Sequence, residues 1–382
     1  MICSKFDYEL ERIYFLIASF SMIFLLACKN SKPEIPKKPT TTKQINSLAF
    51  KNKSGALTSI QIEWEKNKTP IISDTIFADT TIGIINIRTK SGHQFSTNLR
   101  REETIPPAQY LSPDSLIAIS DIEGDFDAFF ELLLGLGIIN KDLSWSYGQN
   151  HLVLVGDFFD RGQEVFNCLW LIYKLEQEAA LAGGKVHFIL GNHEQLNLCG
   201  DFRYVHEKYD LLAELIKIPY KKWFAKNSVI GDWLRTKNCI EKIGDNLFVH
   251  GGLNSKIIEK NWSIEKINQV FREVVSSSGN YLNPEFQFLT GEYGPLWYRG
   301  MSTEELSQSQ VNTILSSYGV EKIIVGHTVI DSKNVSCLYK GRVINIDLYH
   351  TANLKKGILR TLLINRDGYF EIDEQMNKRI LN

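Results

Sequence analysis

Five short stretches place acidic, amide and imidazole side chains directly after apolar runs. They are Asp121-Ile122-Glu123-Gly124-Asp125, Gly156-Asp157-Phe158-Phe159-Asp160-Arg161-Gly162, Gly191-Asn192-His193-Glu194, His250-Gly251-Gly252 and Gly326-His327-Thr328. Carboxylates, amides and imidazoles are the side chains that hold divalent cations, and imidazoles paired with carboxylates move protons. A lone Asp at the end of a strand is more often the cap of the next helix. A lone His is more often a hydrogen-bonded structural residue. Five such stretches in one chain, all at the same kind of position, point to a shared site.

The elements that must position these groups follow from the hydrophobic pattern. Leu116–Ser120, Leu152–Val155, Val186–Leu190, Leu247–Val249 and Lys322–Val325 read as buried strands, with another around Val343–Ile346. Phe126–Leu134 and Val165–Leu181 read as helices. Strand and helix alternate from Ser115 onward, which implies an α/β fold with helices covering a largely parallel sheet. The carboxyl ends of neighbouring strands in such a sheet converge on one crevice, so the five stretches are expected to meet there. A mostly helical insertion is expected over about 200–243. Upstream, Ser59–Trp64, Ile82–Arg88 and Gln94–Leu99 alternate with period two and predict a small β-rich module over residues 47–105, with no visible chemistry. That module could cap a sheet or bind a partner.

The order GDxxDRG, GNHE, HGG, GHT resembles that of the calcineurin-like metallophosphoesterases, in particular the Ser/Thr phosphatase branch. Gly294-Pro295-Leu296-Trp297-Tyr298-Arg299-Gly300 resembles a segment of the Shewanella-like protein phosphatases. The resemblance covers about Leu116 to His350. It implies an α/β/β/α sandwich of two mixed sheets flanked by helices, over residues 106–382. It also implies hydrolysis of phosphomonoesters by a hydroxide held between two divalent metal ions, with manganese expected ahead of iron, zinc or magnesium. By position, Asp157 would bridge the metals, Asp121 would bind the first, and Asn192, His250 and His327 the second. His193 would be the general acid, oriented by Asp160, and Arg161 and Arg299 would hold phosphate oxygens.

The residue types suit those roles. A carboxylate can bridge two cations where a neutral group could not offset their charge, and two metals about 3.5–4 Å apart activate water near neutral pH. Arginine's planar fork donates two parallel hydrogen bonds to phosphate. One position departs from the family: its first motif reads Asp-x-His, whereas this chain has Asp121-Ile122-Glu123. Glu123 is expected to ligate the first metal in place of the histidine, giving a protein donor set of oxygens alone (Asp121, Glu123, Asp157), which favours manganese, magnesium or ferrous iron over zinc. The alternative is that Glu123 bonds only a metal-bound water.

The N-terminus carries a different signal. Ile13 to Ala27 is almost wholly apolar but shorter than the roughly 20 residues of a membrane-spanning helix, which suits a signal peptide. It ends in Leu25-Leu26-Ala27-Cys28, which resembles a bacterial lipobox with Cys28 as the lipidated residue. The expected organisation is a signal over residues 1–27, a lipidated tether over 28–46, and a protein held on a membrane of the bacterial cell envelope, outside the cytoplasm. Of the six cysteines, Cys168, Cys199, Cys239 and Cys337 lie beyond this segment in no metal-binding spacing and are expected to be free thiols.

The formal net charge of −1 and the absence of a basic stripe argue against nucleic acid as the partner. The expected partners are a phosphorylated protein or small molecule and the membrane. Hydrolysis of a small phosphoester or a dinucleoside polyphosphate fits the same residues, and a non-catalytic ligand-binding surface lipoprotein is the reading of another class. His151, His187 and His206 are expected to be structural, whereas His350 could line the site.

Overall fold

The computed structural model describes residues 44–52, 56–64, 70–77, 83–277 and 282–381. The apolar N-terminal run, Cys28 and all of the tether before Gln44 lie outside the described residues. Among the described residues, no helix is long and apolar enough to cross a membrane.

Five strands come first: β1 (Gln44–Lys51), β2 (Leu57–Trp64), β3 (Ile71–Ile76), β4 (Ile84–Arg88) and β5 (Gln94–Asn98). They form one antiparallel sheet in the order β3-β2-β1-β4-β5. This is the expected β module, but its first strand begins inside the segment expected to be tether. The sheet is not a separate body. Leu48, Ile62, Ile85, Ile87 and Phe95 share one apolar core with the rest of the molecule. Trp170 Nε1 donates to the Ser47 carbonyl (2.8 Å), Arg100 N–H to Tyr173 Oη (2.7 Å), and Lys208 Nζ to Gln44 Oε1 (2.8 Å).

The strands that follow are β6 (Gln109–Tyr110), β7 (Ser115–Ile119), β8 (His151–Val155), β9 (Lys185–Ile189), β10 (Ile240–Ile243), β11 (Asn246–Val249), β12 (Lys322–Val325), β13 (Ser336–Leu338), β14 (Val343–Asn345), β15 (Arg360–Asn365), β16 (Gly368–Asp373) and β17 (Lys378–Ile380). They build two six-stranded sheets, β17-β16-β15-β7-β8-β9 and β13-β14-β12-β11-β10-β6. Within them β7-β8-β9 and β11-β12-β14 are parallel, whereas β15, β16 and β17 run antiparallel. The strand rhythm implied a largely parallel sheet. The structure has two mixed ones, as the family resemblance implied.

Side chains alternate across each strand, and here both faces are buried. Leu116 and Ala118 of β7 and Val153 and Val155 of β8 join Phe248 and Ile324 of the other sheet in a core between the sheets. Ile117, Ile119, Leu152 and Leu154 point the other way, into the helix-covered core. The helices that matter for the site are α1 (Phe126–Gly135), α2 (Val165–Leu181), α3 (Asn192–Cys199), α4 (Glu207–Ile216) and α5 (Val229–Thr236). The expected insertion is helical through α5, but β10 already belongs to the sheet. Asn268, fully buried, fixes that junction by accepting from the N–H groups of Cys239 (2.8 Å) and Ile240 (3.2 Å). Cys168, Cys199, Cys239 and Cys337 are free thiols.

Candidate active site

The loops after β7, β8, β9, β11 and β12 meet at one end of the two sheets. Asp121, Glu123, Asp157, Arg161, His193, Arg299 and His327 line a single cleft there. Asn192 and His250 are buried, and Asn192 Oδ1 stands 3.0 Å from His250 Nε2. Asp160 stands behind His193. The structure therefore brings together every residue that the sequence reading placed in the site, apart from Cys28, which lies outside the described residues.

The backbone pays conformational strain to do this. Asp121, Glu123, Asp157, Asp160, Arg161 and His327 all have positive φ, between 50° and 67°. L-residues visit this left-handed region at a cost, and such residues persist only where their surroundings over-determine them. Part of that constraint is Glu194, fully buried in α3. Its Oε2 accepts the N–H groups of Gly191 (2.7 Å) and Asp157 (2.9 Å), and its Oε1 those of Phe158 (2.7 Å) and Phe159 (3.3 Å). One carboxylate thus ties the loop after β9 to the loop after β8. Gly156 has to be glycine, since a Cβ there would lie 2.6 Å from His250 Nδ1. Glu194 closes the motif Gly191-Asn192-His193-Glu194, and its sequence position alone does not reveal this anchoring. We expect Glu194→Ala to lose at least about 3 kcal/mol in urea denaturation, because each hydrogen bond to a buried charge contributes roughly 1.5–3 kcal/mol. A midpoint and slope matching wild type would refute the anchoring role.

The ligand-type atoms are oriented by fixed partners. His250 Nδ1 donates to the Val155 carbonyl (2.8 Å), which turns Nε2 toward Asp157 Oδ2 (3.1 Å). His327 Nε2 donates to the Trp297 carbonyl (3.1 Å), leaving Nδ1 as its acceptor nitrogen. Such bonds fix the tautomer of a metal-binding histidine. One ligand atom each from Asp157, His250 and His327 lies within 4.8 Å of the other two.

Electrostatics point the same way. Burial, together with the Asp157 charge, pushes Asp121 up to about 6. Burial and the Asp121 and Asp157 charges push Glu123 up to about 7, against the pull of Arg161. Burial would raise Asp157 as well, but His250, His193 and His327 outweigh it and hold Asp157 below the usual carboxylate range. Burial opposes the charged form of His250, yet Asp157 and Asp121 carry it up to about 10; its neighbour His327 is driven down to about 2 by burial and by that adjacent charge. Crowded carboxylates that raise one another, beside neutral imidazole nitrogen, form a donor set suited to divalent cations.

Two features of the cleft were not foreseen. Asp347, two residues beyond β14, is 5 % exposed and lines the cleft beside Asp121 and Glu123. Burial and those two charges hold its carboxyl well above the usual range. It sits at a strand end, so the rule that found the other residues would have found it too, but no motif drew attention to it. The second feature is that Glu123 pairs with Arg161 through Oε1 and Nη1. The arginine expected on phosphate therefore also touches the residue that departs from the family pattern.

The acid-base pair is well defined. His193 Nδ1 bonds Asp160 Oδ2 (2.6 Å), and Asn197 Nδ2 holds the other Asp160 oxygen (2.9 Å). Burial would lower His193, but the charges of Asp157 and Asp160 and the bond to Asp160 carry it to about 9. Both carboxylates therefore favour its protonated form. Arg299 Nη1 donates to the His327 carbonyl (2.6 Å) and to Thr328 Oγ1 (3.0 Å), which places it at the cleft wall. His187, bonded to Glu241 (2.6 Å) and to His151 (3.0 Å), and His206, which caps α4, are structural as expected. His350 is buried and is not among the residues lining the cleft.

Comparison with known proteins agrees with this geometry. The chain matches the family described as calcineurin-like phosphoesterase over residues 115–331, more than half its length. It is 28% identical to Shewanella-like protein phosphatase 2 of Arabidopsis thaliana over 322 residues, covering 70% of this chain and 79% of that one. Shewanella-like protein phosphatase 1 of Plasmodium berghei is 31% identical over 231 residues, covering 56% and 60%. Among solved structures, a cold-active protein tyrosine phosphatase of a psychrophilic Shewanella species superposes with a TM-score of 0.78 at 34% identity, covering 87% of this chain and 98% of that one.

Proposed function

We propose, for a chain that belongs to the calcineurin-like phosphoesterase family, that this phosphatase acts on phosphorylated side chains of proteins, and that its first metal position is built from oxygen donors alone. The observation that carries the reading is the Asp160-His193 pair beside Asp157, at the floor of a cleft walled by Arg161 and Arg299. Asp121, Glu123 and Asp157 would hold one divalent ion, with Asp347 close by, and Asp157, Asn192, His250 and His327 the other. Bound there, the ions supply Lewis-acid activation of the attacking water. The chain's own residues do the rest. Arg161 and Arg299 orient the phosphate oxygens and stabilise the charge that grows on them. His193 delivers its Nε2 proton to the leaving oxygen while Asp160 holds Nδ1, so the departing alkoxide leaves as an alcohol. The likeness to enzymes named as protein phosphatases supports a phosphoprotein substrate.

Manganese is the ion we expect to restore most activity, because of the oxygen-rich first position. Chelation should abolish turnover of p-nitrophenyl phosphate, and added manganese should restore it. Metal analysis after dialysis should find two ions per chain in wild type and one in Glu123→Ala. Two ions in Glu123→Ala would remove Glu123 from the ligand set, and turnover that survives chelation would remove the metal mechanism.

We also propose that the enzyme works outside the cytoplasm, tethered through Cys28, on the strength of the apolar run ending in Leu25-Leu26-Ala27-Cys28. Cys28→Ser should move it from the membrane fraction to the soluble fraction. A wild-type protein already soluble when expressed in its bacterial host would contradict the anchor.

A further inference from the structure

Lys208, the second residue of α4, is 2 % exposed, and among the described residues no carboxylate is bonded to it. Its Nζ donates instead to Gln44 Oε1 (2.8 Å), to Asn46 Oδ1 (3.3 Å) and to the Gln163 carbonyl (2.9 Å). An ammonium has three N–H donors, so these three neutral acceptors engage all of them. Trp64 of β2 presents its ring 5.9 Å away. Burial pulls Lys208 down to about 8, against the charge of Glu164. A buried cation that lacks a bonded carboxylate is costly to keep, so its bonds need a reason.

The reason lies in what those bonds join. Gln44 and Asn46 open β1, the first strand of the N-terminal sheet. Gln163 is two residues past Arg161, in the loop between β8 and α2. Its carbonyl also accepts the Tyr209 hydroxyl (3.0 Å). Nearer the cleft, the Arg161 N–H donates to the Tyr204 carbonyl (3.0 Å) and the Gly162 N–H to the Glu123 carbonyl (2.9 Å). Arg161 itself has a φ of 54°, a conformation that lasts only where neighbours hold it. Its side chain is 58 % exposed, so little packing of its own places the guanidinium. The placement comes from the backbone beneath it.

We propose that Lys208 is a positioning residue: it clamps the loop that carries Arg161 to the first strand of the N-terminal sheet, and through it that sheet serves phosphate binding from outside the cleft. Neither Lys208 nor β1 lines the cleft. The effect is felt at the phosphate. A guanidinium grips two phosphate oxygens through parallel hydrogen bonds, and a displacement of about 1 Å is enough to lose most of that grip. The sheet, which shows no chemistry of its own, thereby acquires a part in the reaction. This inference rests on the phosphatase reading above, in which Arg161 holds phosphate oxygens.

The test is a double-mutant cycle on the manganese-loaded full chain. Lys208→Met removes the three donors and keeps most of the stem. It should lower kcat/KM on p-nitrophenyl phosphate about ten-fold and weaken inhibition by inorganic phosphate about as much. In an Arg161→Ala background the same substitution should change both values by less than about two-fold, because the residue whose place it fixes is gone. Gln44→Ala combined with Asn46→Ala releases the clamp from its other end and should repeat the pattern at about three-fold; if Lys208→Met does not fold, this pair decides by the same measurements. Hydrogen exchange gives a readout that needs no turnover. Either variant should speed exchange of the Arg161, Gly162 and Glu164 amides about ten-fold and leave the β8 amides at wild-type rates. Equal losses with and without Arg161, no loss at all, or unchanged exchange over 161–164 would overturn the inference. If wild type hydrolyses no phosphomonoester under any divalent metal, the phosphatase reading falls, and the exchange rates still decide whether Lys208 holds the loop.

Discussion

Asp157→Asn should lower kcat on p-nitrophenyl phosphate by about a thousand-fold or more while the protein stays folded. Asparagine keeps the shape of the side chain and can still accept the His193 N–H that Asp157 Oδ1 now accepts at 3.0 Å. What it removes is the negative charge facing His250, His193 and His327 at once. Removing one electrostatic anchor of a transition state typically costs about 10²–10³ in kcat, and this one is also the carboxylate proposed to serve both metal positions. Steady-state kinetics at saturating manganese, with a melting curve on the same sample, would measure it. A variant retaining about a tenth of wild-type activity would exclude a bridging role for Asp157.

His193→Ala should show a loss that depends on the leaving group. General acid catalysis contributes about 10²–10⁴ when the departing oxygen needs a proton. Phosphoserine leaves as an alkoxide and needs that proton fully, so a loss of about a thousand-fold is expected. p-Nitrophenolate departs well without one, so the same variant should lose only about ten-fold. The Asp160 contact and the Asp157 charge both favour the protonated imidazole, the form a general acid needs. Equal losses on the two substrates would assign His193 to phosphate binding instead.

Much of the site could be read from the chain because each motif follows a short strand buried on both faces, whose unbroken apolar run stands out in sequence. Leu116–Ser120 was expected and Ser115–Ile119 is found; Val165–Leu181 was expected as a helix and is one. What could not be read depends on partners far along the chain. β15 lies beside β7, with Leu362 opposite Ala118, and nothing local to either strand encodes that pairing. The antiparallel half of that sheet was therefore missed at the level of residues. The same holds for the β module. Its alternation was visible, but the hydrogen bond from Trp170 to Ser47 that fuses it to α2 was not. Asp347 was overlooked for another reason: its place in the cleft depends on the company it keeps in space, and it belongs to no quoted motif.

The left-handed backbone at Asp121, Glu123, Asp157, Asp160, Arg161 and His327 has a consequence for how this protein can change. Glycine would relax each of these positions, so a search for thermostable variants would be drawn to them. Each such gain would delete a side chain from the cleft or, at Asp160, the partner of His193. Stability and activity therefore compete at the same residues, and heat tolerance in descendants of this chain has to come from elsewhere, in the helices and the module, where the two are not in conflict.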